Sequence, residues 1–227
     1  MRNNQPVTQR EYEFPADATL MSTTNTQSHI TYANAAFIAV SGFEREEIIG
    51  QAHNMVRHPD MPTQAFADMW ATLKAGRSWT ALVKNRRKTG DHYWVRANAT
   101  PIVRGGKVIG YMSVRTKPLR AEIEATEAVY RAFREGRGGR WRFHQGLIVR
   151  SGAMAWASWL QVMPVRWRLR LGVLSLTGGT VGAAAATGVE GMGLLGFAAA
   201  VAVLGETVST FLEAQISRPL EQVLRQA

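Results

Sequence analysis

Residues 78–117 read SWTALVKNRRKTGDHYWVRANATPIVRGGKVIGYMSVRTK, and this stretch decides the fold. It predicts three consecutive strands, at Ser78–Lys88, Asp91–Val103 and Lys107–Lys117. Thr89-Gly90 joins the first two strands and Gly105-Gly106 joins the last two. Short joins that contain glycine are typical of β-hairpins. The stretch therefore predicts an antiparallel meander.

Five shorter elements are predicted ahead of the meander: two strands, two short helices and one longer helix. They are Thr19–Thr24 and Ile30–Tyr32 (strands), Asn34–Val40 and Glu44–Ile49 (short helices) and Gln64–Leu73 (longer helix). Helices segregated on one face of an antiparallel sheet define an α+β fold. The sequence thus predicts a five-stranded antiparallel sheet with helices on one face.

A polar loop lies between the second and third helices. Residues 53–62 read HNMVRHPDMP, and the two prolines exclude a regular helix. The polar side chains of the loop are those of His53, Arg57, His58 and Asp60. Together they offer a planar fork of donors, two switchable imidazoles and an anionic acceptor, which suit a flat ring with heteroatoms or a phosphate. A solvated surface loop is the alternative.

Several segments carry a resemblance to a known family. They are TLMSTT (19–24), ITYAN (30–34), GQAHNMVRHPDMP (50–62), FADMW (66–70) and KNRRKTGDHYWVRAN (84–98). In this order they resemble the sensory PAS domain of aerotaxis receptors, over about Val7–Lys117 and more weakly through the apolar C-terminal region. The resemblance implies a PAS fold that binds FAD non-covalently and reads the redox state of the flavin.

The resemblance also implies the binding residues. Arg57, His58 and Asp60 match positions tied to FAD binding, and Asn34, Trp79, Asn85 and Asn98 match the polar and aromatic lining near the ring. Amides can pair with the pyrimidine edge of an isoalloxazine, and an indole offers a stacking face. Asn34 could instead cap a helix, Asn98 could face either side of its strand, and Trp70 and Trp94 are interpreted as core.

Residue types that are missing exclude several functions. The chain has no cysteine, which excludes the flavin–thiol photochemistry of light-oxygen-voltage domains, disulfides and iron–sulfur clusters. No partners at metal-ligand spacing accompany the two loop histidines, so no metal site is predicted. No catalytic triad, paired catalytic carboxylates or phosphate-binding glycine loop is found. The sequence predicts a protein that is not an enzyme.

The net charge of +10 is unevenly distributed. Residues 1–119 and residues 120–170 carry about +6 each, whereas residues 171–227 carry about −2. The basic excess is densest just ahead of an apolar tail, where it would face anionic lipid headgroups and favour cytoplasmic placement. We therefore expect membrane lipid, and not nucleic acid, as the partner of this charge.

The tail predicts a transmembrane helical hairpin within residues 166–213. Its spans are expected near residues 171–188 and 192–212, because each is long and apolar enough to cross a bilayer. Basic residues flank the hairpin and none lies in its turn, which predicts an inner-membrane protein with both termini cytoplasmic. Glu206 inside the second span would have to pair or reach the interface. Small residues at four-residue spacing, such as Gly178 and Gly182, suggest close helix packing.

The chain is thus expected to have four parts. Residues 1–119 form a PAS domain with an N-terminal cap, 120–165 a basic, tryptophan-rich linker with an amphipathic helix at Leu119–Glu135, 166–213 the membrane anchor, and 214–227 the start of a HAMP-like helix. The resemblance implies a homodimer that works with chemotaxis signalling partners or a separate output protein. The sequence is expected to be a truncated or short form that lacks the kinase-control module of these receptors. Two alternatives stay open: a flavin-free PAS interaction module, and a haem-binding PAS sensor that uses His53 or His58.

Overall fold

The computed structural model describes residues 4–212. The chain forms two compact units, of which the first extends to Trp156 and the second begins at Ala157. Each unit is described separately below.

The first unit is built on a five-stranded antiparallel sheet. The strands are β1 (Leu20–Asn25), β2 (Ile30–Ala33), β3 (Trp79–Arg86), β4 (His92–Arg104) and β5 (Lys107–Thr116). Their spatial order is β2-β1-β5-β4-β3, so β2 and β3 are the edges. Alternate residues of each strand point to the inner face, as the two-residue period of a strand requires. The predicted PAS fold and its five-stranded antiparallel sheet are confirmed.

Three helices accompany the inner face of the sheet. They are α1 (Ala35–Ser41), α2 (Arg45–Ile48) and α3 (Thr63–Lys74), with a 3₁₀ turn at His53–Val56. Asn34 caps α1, and the left-handed Gly42 ends it. Apolar residues from the helices and the inner sheet face, among them Phe37, Val56 and Leu73, form one buried core.

The segment 50–61 touches both edges of the sheet. At the β2 edge, Ile30 and the segment exchange backbone hydrogen bonds: Ile30 N donates to Gln51 O at 2.9 Å, and Gly50 N donates to Ile30 O at 2.7 Å. At the β3 edge, Arg57 forms an antiparallel bridge with Asn85, and Lys84 N donates to the Met61 sulfur at 3.2 Å. We call residues 50–61 the edge segment. It connects the two open edges of the sheet along one side of the core.

Elements that follow the sheet in the chain pack on its outer face and at its β3 edge. These are α4 (Arg120–Arg134) and a two-stranded hairpin of β6 (Trp141–His144) and β7 (Leu147–Arg150). The buried Tyr130 hydroxyl of α4 donates to Leu82 O at 2.6 Å, and its ring contacts Trp94 and Phe143. Residues 120–150, which are part of the predicted linker 120–165, therefore pack against the sheet.

Gly110 of β5 lies close against the backbone of β1. It pairs with Asn25, and a Cβ placed on it would lie 2.1 Å from Thr24 O. We expect Gly110→Ala to lower the free energy of unfolding by roughly 1–3 kcal/mol or more, because the strands must separate to admit the methyl group. Denaturant unfolding followed by tryptophan fluorescence measures this. Gly139→Ala, whose Cβ meets nothing within 4 Å, is the matched control; equal midpoints for the two variants would contradict the expectation.

The second unit contains α5 (Trp159–Val162), α6 (Val165–Ala186) and α7 (Gly191–Leu212). By length and composition, α6 and α7 could each cross a membrane. The spans predicted at 171–188 and 192–212 correspond to them, although α6 begins six residues earlier, directly after Pro164. The predicted HAMP-like residues 214–227 lie outside the described residues.

The two long helices approach each other at a glycine that the small-residue spacings did not single out. A Cβ on Gly205 would lie 2.6 Å from the Thr177 methyl carbon and 3.3 Å from a Val173 methyl carbon. At Gly178, Gly182 and Gly196 a Cβ would meet nothing within 4 Å. Of these four glycines, Gly205 is therefore the one that packs closely against the facing helix.

Candidate functional site

The first unit contains a cavity of about 320 Å³ between the inner face of the sheet, α3 and the edge segment. This volume lies at the small end of the roughly 300–1,000 Å³ typical of ligand sites. Aromatic side chains line one side: Trp79, Phe66 and Trp70, the last packed edge-to-face on Tyr111 with ring centroids 5.3 Å apart. Polar groups from the edge segment and the sheet line the rest. The cavity is thus suited to a flat, partly polar molecule.

Two of the predicted residues, Arg57 and Asn85, present unused donors at the cavity wall. Both line the cavity, and their backbones are bridged to each other. Arg57 Nη2 and Asn85 Nδ2 are buried and have no hydrogen-bond partner among residues 4–212. Burial lowers the pKa of Arg57, and its guanidinium lies 3.7 Å from the centre of the Phe66 ring. Buried donors without partners are rare in proteins, so a ligand with acceptor atoms would satisfy this wall.

Tyr93 lies opposite Asn85 in the β3–β4 register. Burial raises the pKa of Tyr93 to about 12, an effect that Arg115 and Asn85 oppose. No hydrogen bond of normal geometry joins the two side chains, since the Tyr93 hydroxyl and Asn85 Nδ2 both have no partner among the described residues. The tyrosine is therefore a neutral neighbour of the wall at any physiological pH.

Trp79 is a fully buried part of the aromatic side of the cavity. Its indole N–H donates to Asp68 Oδ2 at 2.8 Å, which fixes the orientation of the ring. Asp68 lies on α3, and its carboxylate also accepts from two backbone amides in the β6–β7 turn, Gln145 N at 2.9 Å and Gly146 N at 2.7 Å. One carboxylate thus holds both a cavity wall and the outer hairpin.

Sequence reasoning missed the buried Arg115, which borders the cavity on β5. It donates to Ser22 Oγ at 3.1 Å and to His53 Nε2 at 2.7 Å. Burial lowers the pKa of His53 to about 3, with a further contribution from the positive Arg115, so His53 is neutral and accepts at Nε2. Burial also lowers the pKa of Arg115, to about 10. The alternation Tyr111, Ser113, Arg115 along the strand places all three on the cavity side, and this pattern could have revealed the arginine.

The predicted residues His58 and Asp60 lie in a separate cluster that does not line the cavity. Asp60 pairs with the buried Lys84 at 2.7 Å, and the fully buried His58 accepts from Asp60 N through Nδ1 at 3.1 Å. Burial, followed by the charge of Lys84, lowers the pKa of His58 to about 4. Burial alone would raise the pKa of Asp60, but Lys84 outweighs it and the pKa is lowered. Arg134 of α4 also donates to Asp60 O at 3.1 Å.

Two further predicted residues lie away from the cavity. The Asn34 side chain accepts from Phe37 N and Met21 N and donates to Thr19 O, so backbone groups occupy its amide. Asn98 is exposed on the outer face of β4 and accepts from Thr80 Oγ1 at 2.7 Å, whereas its neighbours Ala97 and Ala99 face the cavity. Trp70, interpreted as core, lines the cavity instead.

The structure therefore groups three of the seven predicted residues, Arg57, Trp79 and Asn85, around one cavity. His58 and Asp60 form the cluster beneath α4, and Asn34 and Asn98 have local structural partners. Within residues 4–212, no group of three or more His, Asp or Glu side chains is arranged to hold a metal ion.

Comparison with known proteins identifies the fold and a relative. Residues 30–115 match the PAS fold family. The whole chain aligns at 50% identity over 234 positions with the aerotaxis receptor of Escherichia coli strain K12, and it spans 43% of the length of that protein. It is also 28% identical over 83 residues to the nitrogen fixation regulatory protein of Klebsiella pneumoniae, an alignment covering 37% of this chain and 17% of that one.

Solved structures include two of light-oxygen-voltage domains. One, from a study of a flavin analogue in such a domain, is 23% identical with a TM-score of 0.43 and covers 48% of this chain and 82% of its own. The dark structure of the aureochrome1 domain is 16% identical with a TM-score of 0.44, covering 48% and 85%. The family match and the sheet topology show a PAS fold in the first unit, and the chain is similar over its whole length to the aerotaxis receptor of Escherichia coli.

Proposed function

We propose that this chain is a membrane-anchored redox or oxygen sensor of the aerotaxis type, which holds FAD non-covalently in the PAS cavity. The observation that carries the proposal is the pair of buried, unpartnered donors, Arg57 Nη2 and Asn85 Nδ2, at the wall of a cavity lined by aromatic rings. The similarity to an aerotaxis receptor supports the signalling role. Because this relative is a receptor, we infer a signalling protein and not an enzyme.

The residues present fit the isoalloxazine part of FAD. Its pyrimidine edge carries carbonyl oxygens, which accept hydrogen bonds from amide and guanidinium donors. Arg57 and Asn85 would supply these donors, and Trp79 would offer a fixed aromatic face. Arg115 places a positive charge at the same cavity. When bound, the flavin supplies reversible electron and proton uptake, which changes the charge and hydrogen bonding of the ring.

Strand β3 connects the cavity to the elements behind it. Val83 and Asn85 face the cavity, while the backbone carbonyl of Leu82, the residue just before Val83, accepts from the Tyr130 hydroxyl of α4. A reorientation of the Asn85 amide would therefore disturb β3, and α4 is hydrogen-bonded to the same strand on its outer face. Asn98 faces away from the cavity, so we assign it no contact with the flavin. The HAMP-like residues 214–227 would receive the signal further along the chain.

The cofactor is tested on the full chain purified in detergent. We expect the absorbance bands of oxidised flavin, and we expect FAD when the protein is denatured and the released material is separated by chromatography. Release of FMN would refute the assignment to FAD. A haem spectrum would favour the haem-binding alternative, in which His53 or His58 serves as ligand. A colourless, folded protein would favour the flavin-free interaction module.

The membrane placement belongs to the same proposal. We expect α6 and α7 to span the inner membrane as a hairpin with both termini cytoplasmic. Arg166, Arg168 and Arg170 occupy the first turns of α6, and the turn before α7 has no basic residue. Homodimers and chemotaxis signalling proteins are the proposed partners, together with the surrounding lipid. Nucleic acid is not among them.

The topology gives a prediction that does not depend on the cofactor. The chain has no native cysteine, so single cysteines can be labelled without background. Met192, 83% exposed at the start of α7, marks the turn, and Gln215 lies beyond the described residues. An impermeant thiol reagent added to intact cells should label Met192→Cys and not Gln215→Cys, because arginines resist translocation. Labelling of position 215 alone, or of both positions equally, would contradict this topology.

A further inference from the structure

The Asp68 carboxylate lies at a junction between the cavity and the outer hairpin. Oδ2 accepts from the Trp79 indole at 2.8 Å and from Gly146 N at 2.7 Å, and Oδ1 accepts from Gln145 N at 2.9 Å. Three donors thus share two oxygens, and two of them share a single oxygen. Hydrogen bonds to a carboxylate are among the stronger ones in proteins. The position of the carboxylate therefore depends on both the cavity wall and the hairpin.

The β6–β7 turn is shaped for this contact. Gln145 and Gly146 both have positive φ, at 54° and 88°, as a tight hairpin turn of the mirror-image type requires. The turn also lies against β3, since a Cβ on Gly146 would be 1.9 Å from Thr80 O. Thr80 is next to Trp79 in the chain. The hairpin thus contacts the same end of β3 that supplies the indole.

We propose that Asp68 is a positioning residue that couples the cavity to the β6–β7 hairpin. It orients the Trp79 ring and docks the hairpin turn through the same carboxylate, so a displacement of the indole changes how tightly the hairpin is held. The hairpin precedes the helices of the second unit in the chain. The coupling of Trp79 to the hairpin stands by itself, and its use in signalling rests on the proposed flavin function.

If one carboxylate couples the cavity and the hairpin, each must affect the other. If the occupant of the cavity shifts Trp79 and thereby alters the hairpin, then loosening the hairpin must alter affinity for that occupant by the same factor. A carboxylate with only a structural role would hold the turn in place without responding to Trp79. The two cases differ in whether the effects of substitutions at Asp68 and Trp79 are additive.

The first measurement is hydrogen exchange of the peptide that contains Gln145 and Gly146, in the full chain in detergent. Asp68→Asn should accelerate its exchange about tenfold or more, as expected for loss of hydrogen bonds to a charged acceptor. Asp17→Asn, a charge change at an exposed site, should leave exchange unchanged and serves as the control. Wild-type exchange in Asp68→Asn would overturn the proposal.

The second measurement is a double-mutant cycle with Trp79→Phe, which keeps an aromatic ring and removes the N–H. Trp79→Phe should accelerate exchange of the hairpin in the wild-type background and add nothing in Asp68→Asn. Equal acceleration in both backgrounds, or none in either, would overturn the coupling. Neither result depends on the cofactor, so the cycle can succeed even if the chain proves to bind no flavin.

The third measurement tests the link to the cavity from the hairpin side. Gly146→Ala should weaken retention of the flavin, because its methyl group displaces the turn from Thr80 O and Asp68. Gly136→Ala carries a similar positive φ of 72°, but a Cβ there meets nothing within 4 Å, so it controls for backbone strain. Flavin retention equal in the two variants would overturn the reciprocal link.

Discussion

Replacing Arg57 with alanine is expected to lower the flavin affinity of the purified chain by about ten- to a hundredfold while the fold survives. The guanidinium is half-buried at the cavity wall, and its Nη2 has no partner among residues 4–212. A charged hydrogen bond contributes roughly 1.5–3 kcal/mol, which corresponds to that change in affinity. The flavin-to-protein absorbance ratio during dilution measures affinity, and circular dichroism reports the fold.

The matched control for this prediction is Arg77→Ala, which removes an exposed arginine just ahead of β3. It should leave flavin affinity unchanged. His58→Ala is expected to behave differently from both, because His58 is fully buried in the cluster with Asp60 and Lys84 and does not line the cavity. That variant should lose flavin only in proportion to its loss of stability. Full flavin content in Arg57→Ala would refute the binding role of Arg57.

Acid is expected to destabilise the first unit steeply between pH 6.5 and about 4. Burial depresses the pKa of His53 to about 3 and of His58 to about 4, and it also lowers that of His92. Unfolding restores the ordinary value near 6.5, so the unfolded chain binds more protons. The contribution is fully present above pH 6.5 and is lost as the pH falls towards the folded values. Each histidine costs about 1.4 kcal/mol per pH unit in this window.

Denaturant unfolding at a series of pH values checks this slope. With His53 and His58 both titrating, the free energy of unfolding should fall by roughly 2.7 kcal/mol per pH unit. His58→Asn keeps an acceptor near Nδ1 for Asp60 N but does not titrate, so about half of the slope should vanish. A stability that is level from pH 7 to pH 5 would show that these histidines are solvated in the native protein.

The sequence was sufficient for the sheet and the order of its helices, because alternation and glycine turns are local signals. It could not determine which residues of β4 face the cavity. In the structure Asn98 faces outward, whereas Ala97 and Ala99 face the cavity. The sequence also placed Arg57 and His58 in one site, although adjacent residues in extended backbone point to opposite sides. Arg57 faces the cavity and His58 the cluster beneath α4.

The packing of α4 on the outer face joins segments that are distant in the chain, and local sequence patterns do not reveal such contacts. Tyr130 lies on a helix that was predicted correctly as amphipathic, but its partner Leu82 O belongs to a strand 48 residues earlier. The hydrogen bonds from Gln145 and Gly146 to Asp68 likewise join positions 77 and 78 residues apart. Arg115 is buried although charged side chains mostly face solvent, so its residue type alone does not indicate a position in the cavity wall.

The edge segment has a consequence for how the chain avoids self-association. Open sheet edges present unpaired backbone groups, which recruit strands from other molecules and promote aggregation. Here one run of residues shields both edges, through Gln51 and Gly50 at β2 and through Arg57 and Met61 at β3. The same run contributes Arg57 and His53 to the cavity wall. Protection of the two edges and lining of the cavity therefore depend on the same segment, and a substitution that frees it would leave both strand edges open to pairing with other molecules.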